Sequence, residues 1–121
     1  MADRSVLIGW GEVVRGRERR ALEVFGEGMA FYEEAVQDGR LAGMEVVLLE
    51  PTGSDLDGFW LLRGGEEQLR ALRDDERWLR MIAEAALVVD DLRVVDGYVD
   101  QGVTEPMARY ADALSTVLAT A

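Results

Sequence analysis

Two successive stretches of this chain, Val6 to Leu49 and Phe59 to Val99, carry the same order of patterns. Each has a short apolar run, then apolar residues spaced by three and four, then a second short apolar run. Short runs rich in β-branched residues suit strands, and the three-and-four spacing suits a helix. The chain is therefore confined to β-α-β-β-α-β. In the first half Val6–Val14 reads as a strand, and Arg15 to Arg20 lead into a helix with Leu22, Phe25, Met29, Tyr32 and Val36 on one face. Gly39 supplies a C-cap signal, and Met44–Glu50 reads as the second strand. Pro51-Thr52-Gly53-Ser54-Asp55 separates the halves with turn-forming residues.

The second half opens on the strand Gly58–Arg63, which Gly64-Gly65 breaks. One helix beginning near Glu66 then presents Leu69, Leu72, Leu79, Ile82 and Ala86, with Trp78 at its edge, and Leu92–Val99 forms the fourth strand. After Gln101-Gly102, Thr104 can cap and Pro106 can open a last helix over 104–119, striped by Met107, Tyr110, Leu114 and Val117. The 121 residues suit a single domain with its core in 6–100.

The strands do not alternate apolar with polar, as an antiparallel sheet with one wet face would. Val6, Ile8 and Trp10 oppose Leu7 and Val13; Met44, Val46 and Leu48 oppose Val47 and Leu49. Phe59 and Leu61 likewise oppose Trp60 and Leu62, while Val94 and Tyr98 oppose Val95 and Val99. Two helices cover one face. The other would expose more than the ~300–600 Å² apolar patch usual on a monomer. A homodimer joined through its sheet faces is the expected remedy. The last helix, folding back over that face, is the competing one.

Composition excludes several classes. The chain has no Cys and no His, so disulfides, thiolate chemistry and a Ser-His-Asp triad are impossible, and a dedicated metal site is not expected. A formal net charge of −11 opposes nucleic acid and anionic membranes as partners. No apolar run approaches the ~20 residues of a membrane helix, and the start of the chain lacks a secretory pattern, so a cytoplasmic location is expected. All 13 basic residues are Arg, and Lys and Asn are absent, which fits a G+C-rich bacterial gene.

Over Val6 to Val99 the element order and hydrophobic pattern resemble the dimeric α/β-barrel superfamily of ferredoxin-like subunits, which includes small cofactor-independent monooxygenases of antibiotic biosynthesis. Gly58-Phe59-Trp60-Leu61-Leu62-Arg63-Gly64, followed by an acidic helix start, also resembles YCII-related proteins. The resemblance implies an α+β fold with an antiparallel sheet, helices on one face, and pairing into a barrel. The monooxygenases work with Asn, Trp and His or Arg, and YCII-like proteins with a His–Asp pair. Asn and His are missing here, so the resemblance implies architecture without catalysis and calls for no cofactor.

Aromatic residues offer the first candidate site. Trp10, Tyr32, Trp60 and Tyr98, with Arg63 beside them, are expected to line a pocket between sheet and helices and to bind a small apolar or aromatic molecule; filling the core is the plainer role for large aromatics. Glu12 and Asp96 share strand faces with apolar residues. A carboxylate so placed can have a raised pKa and act as a base, although water or an Arg partner is its commoner setting. Neighbouring first and fourth strands would let the two meet. Arg15, Arg17, Arg19 and Arg20 form the only basic cluster, with Glu12, Glu18 and Glu23 there to neutralise it. Three functions are thus open: small-molecule binding, cofactor-free oxygenation or isomerisation of an aromatic polyketide-like substrate, and a non-catalytic interaction module. A roomy aromatic pocket would support the first two, a packed interior the third.

Overall fold

Strand β1 spans Arg4–Trp10, β2 Gly43–Leu48, β3 Gly58–Gly64 and β4 Arg93–Tyr98 in the computed structural model, which describes residues 2–120. They form one antiparallel sheet in the order β2-β3-β1-β4. Helices α1 (Glu18–Gln37), α2 (Glu66–Arg73) and α3 (Glu76–Val88) form the crossovers, and a 3₁₀ turn over Asp100–Val103 leads into α4 (Thr104–Thr120). This is the ferredoxin-like α+β architecture expected from the order of patterns. No helix among the described residues is long and apolar enough to cross a membrane.

Strand register assigns the faces. Val6 pairs with Leu62 and Asp96, and Ile8 pairs with Trp60 and Val94. Side chains alternate along a strand, so Val6, Ile8, Trp60 and Leu62 share the helix-covered face, where all four are buried. They pack with Phe31, Tyr32, Ala35, Leu69, Leu72 and Trp78 into the core. The opposite face carries a row across the sheet: Glu45, Leu61, Leu7 and Val95. Val47 and Phe59 lie beside it. Leu7, Val47, Phe59 and Leu61 are half-buried, Val95 is exposed, and no helix covers them. Arg63, ion-paired to Glu45 at 2.9 Å and to Asp100 at 3.2 Å, edges this open face at one end; Arg93, 3.3 Å from Asp55, edges it at the other.

Three expectations need correction. First, β1 stops at Trp10 rather than Val14. Gly11 donates to the Asp90 carbonyl, Asp90 to the Glu12 carbonyl and Val14 to the Val88 carbonyl, so the chain leaves the sheet to pair with the segment after α3. A Cβ at Gly11 would crowd the Asp55 carbonyl at 2.8 Å, so the departure needs glycine. Second, the single helix from Glu66 is two helices. The Asp75 carboxylate accepts from the Trp78 backbone N–H at 3.1 Å and starts α3 afresh. Third, the helix faces are rotated from those expected. With α3 restarted, Trp78 is 1% exposed and central, while Leu79 is 41% exposed. In α1, Val24, Gly28, Phe31, Tyr32 and Ala35 point inward, leaving Leu22 75% exposed.

Candidate ligand cavity

The site is built on the Trp10 end of the helix-covered face. There Trp10 faces Gly58, and Trp60 stands between Ile8 and Val46 on the neighbouring strands. A Cβ at Gly58 would lie 2.6 Å from the Trp10 ring, so the bare α-carbon is what lets the indole approach β3 so closely. Phe25 from α1 inserts between the two indoles, its ring centre 6.2 Å from Trp10 and 5.0 Å from Trp60. Tyr32 meets the other edge of Trp60 at 5.1 Å. The Trp10–Phe25 and Tyr32–Trp60 contacts are edge-to-face, an arrangement aromatic pairs favour.

These rings wall a cavity of about 390 Å³ between β1, β3, α1 and α3, opening to solvent past Val13, Leu22 and Leu48. Met81, Ile82 and Ala85 of α3 supply the opposite wall. The exposure of Leu22 (75%) and Leu48 (70%) now has a place in the fold: both stand at the mouth. Across the helix ends, Arg17 donates to the Leu87 carbonyl and ties the start of α1 to the end of α3.

Polar groups are few here. Among the described residues, Glu18 is the only charged one lining the cavity, and its carboxylate accepts from the Gly16 N–H at 3.0 and 3.1 Å. Backbone donors at Glu18 and Gly16 hold that carboxyl below its usual range, so it is an anion with its lone pairs engaged. The Tyr32 hydroxyl accepts from the Trp78 indole N–H at 3.1 Å. Burial pushes the Tyr32 phenol up to about 12, opposed in part by that hydrogen bond; it is a neutral group at physiological pH.

Of the residues singled out in the sequence, Trp10, Tyr32 and Trp60 come together around the cavity. Tyr98 does not. It pairs opposite Arg4 at the far end of the sheet, with the Arg4 guanidinium 4.6 Å above its ring. Arg63 lies on the open face, bound to Glu45 and Asp100. Glu12 is exposed beyond the end of β1, and Asp96 is exposed and bound to Arg73 at 2.6 Å. The two carboxylates do not meet: Asp96 pairs with Val6, near the start of β1, whereas Glu12 follows its end. Of the basic cluster, Arg20 reaches Glu23, Glu27 and Glu84. The α3 wall and Glu18 were not foreseen. Asp75, with the Asp-x-x-Trp spacing of an N-cap, was the signal that would have set the face of α3.

A second cleft of about 320 Å³ lies at the Tyr98 end, lined by Arg4, Arg70 and Arg73 together with Glu66 and Asp96. Its arginines are already matched: Arg4 to Asp3 and Glu105, Arg70 to Glu66, and Arg73 to Asp96.

The chain matches no family model and no curated protein sequence. Solved structures do match it. A dimeric ferredoxin-like protein of unknown function from Jannaschia sp. superposes with a TM-score of 0.61 at 14% identity, over 79% of this chain and 99% of the other. A dimeric protein of unknown function and ferredoxin-like fold from Bacteroides fragilis gives 0.55 at 13% identity, over 79% and 95%. SnoaB, a cofactor-independent oxygenase from Streptomyces nogalater, gives 0.48 at 16% identity, over 82% and 93%. The ferredoxin-like fold is shared with the first two.

Proposed function

We propose that this protein is a homodimer that binds a small, uncharged, apolar or aromatic molecule in the cavity between its sheet and helices. One observation carries the reading: a cavity of about 390 Å³ walled by Trp10, Phe25, Trp60 and Tyr32, with a single charged residue in its lining. Ligand pockets commonly run about 300–1,000 Å³ and are mostly apolar with a few polar groups. Planar ligands gain from stacking on such rings. Catalysis by general base is less well supported, because Asp96 is paired with Arg73 and Glu12 is out in solvent. The homodimer is supported by the uncovered apolar sheet face and by the dimeric assembly of the two solved proteins of this fold.

The test uses N-phenyl-1-naphthylamine, a neutral aromatic dye that brightens in apolar surroundings. The protein is expected to bind it saturably with one site per subunit, quenching tryptophan emission. Ala85→Phe fills the cavity from its α3 wall and should weaken binding at least roughly tenfold, a difference of about 1.4 kcal/mol. Absence of saturable binding, or equal binding by the folded Ala85→Phe variant, refutes the proposal.

A further inference from the structure

Once the core and cavity are assembled, helix α4 has, among the described residues, few contacts with its own domain beyond the 3₁₀ turn that precedes it. Val103, Met107, Tyr110 and Leu114 recur at steps of four, three and four, and their exposures are 43, 59, 66 and 46%. The stripe continues to Leu118, 67% exposed. Apolar side chains at this spacing form one helix face that suits packing on another surface. Ala111 borders it and permits close approach. The charges of α4 are few, and Glu105 is paired with Arg109 at 3.2 Å.

The helix cannot turn back onto its own sheet without undoing its root. A Cβ at Gly102 would collide with the Asp3 backbone, Arg4 holds Glu105 at 2.9 Å, and Arg63 holds Asp100 at 3.2 Å. These contacts aim α4 away from the domain, and beyond the 3₁₀ turn it touches little of its own chain. In folded proteins most of a helix's stability comes from packing its apolar face rather than from propensity. A second molecule can supply that packing.

Two considerations point to a second copy. The first is continuity: Arg63 edges the open sheet face and holds Asp100 at the root of α4, so the stripe starts where that face ends. The second is area. Strands about 4.8 Å apart and about 20 Å long give this sheet face a footprint of roughly 300–400 Å² per subunit. Two such faces, about 800 Å² in projection and more in accessible surface, lie toward the low end of the ~1,200–2,000 Å² that stable interfaces bury. A helix about 25 Å long and about 10 Å wide adds roughly 250 Å² on itself and as much on its receiver. Two arms bring the interface well inside that range. Each copy also carries a net charge of −11, and this nearly uncharged stripe is surface on which two such copies can meet.

We infer that the segment from the 3₁₀ turn through α4 is an exchanged arm, packing its Val103, Met107, Tyr110 and Leu114 stripe on a second copy of the chain to complete the interface that the sheet faces begin. The inference rests on the homodimer proposed above. Sedimentation of the full chain and of its Met107→Glu/Leu114→Glu variant separates the two. The full chain is expected to dimerise, and the variant to keep its fold by circular dichroism while dimerising about a hundredfold more weakly. Because the chain has no cysteine, Leu114→Cys adds a single thiol as a second readout. Its maleimide reactivity should be low in the dimer and rise on dilution. A full chain monomeric at every concentration removes the homodimer and this inference with it. A dimer whose affinity the double substitution leaves unchanged, with the introduced thiol reacting at the same rate in monomer and dimer, overturns the arm alone.

Discussion

Tyr32 and Trp78 form a buried polar pair inside an otherwise apolar core: Tyr32 is 2% exposed, Trp78 1%, and the indole N–H donates to the phenol oxygen at 3.1 Å. Tyr32→Phe keeps the ring but strands that N–H away from water, and an unmet buried donor costs about 1–3 kcal/mol. The phenol has a pH signature as well. It titrates at about 12 in the folded chain and near 10 in the unfolded one. Below pH 10 both states hold the proton and the contribution is complete. Between the two values the unfolded chain has lost a proton that the folded chain keeps, so stability falls by about 1.4 kcal/mol per pH unit. Urea unfolding from pH 8 to 12 should show a steeper alkaline loss in the native protein than in Tyr32→Phe. Parallel slopes would show that the Tyr32 proton is not linked to folding.

Among the elements, α3 owes its start to a single carboxylate. Asp75 caps it through the Trp78 N–H, and Trp78 is the largest of its fully buried side chains. Asp75→Ala is expected to lower stability by about 1 kcal/mol, the usual worth of an N-cap, as a reduced denaturation midpoint with an unchanged slope. A midpoint equal to the native protein's would mean that α3 starts without its cap. The same residue explains where sequence and structure diverge. Spacing through Leu69, Leu72, Leu79 and Ile82 is compatible with one continuous helix, and only the restart at Asp75 turns Trp78 inward and Leu79 outward. Element order, strand parity and the cluster of Trp10, Tyr32 and Trp60 were legible because alternation and period are local properties of the chain. Register is not local. Tyr98 shares the expected face with Trp10, yet pairing of Arg4 with Tyr98 sends the two to opposite ends of the sheet, and the same register parts Glu12 from Asp96. The departure of Gly11 was hidden for a similar reason, since its partner Asp90 lies 79 positions on in sequence.

For the whole molecule, charge and apolar surface work against each other. Two copies at −11 each repel across solvent, while the open sheet face and the α4 stripe favour association. Salt screens the first effect, with a Debye length of about 10 Å at 0.1 M and about 3 Å at 1 M. Dimerisation is therefore expected to tighten several-fold as NaCl is raised through that range, read by sedimentation equilibrium. Weakening with salt would mean that ion pairs between subunits, rather than apolar contact, hold the assembly.

The close seating of Trp10 on Gly58 has one more outcome. A hydrogen atom where other residues carry a side chain decides how far the indole sinks toward the strand, and so where one wall of the hollow stands. Even a methyl group there would lift the ring. The width of the hollow is thus set in part by an atom that does not line it.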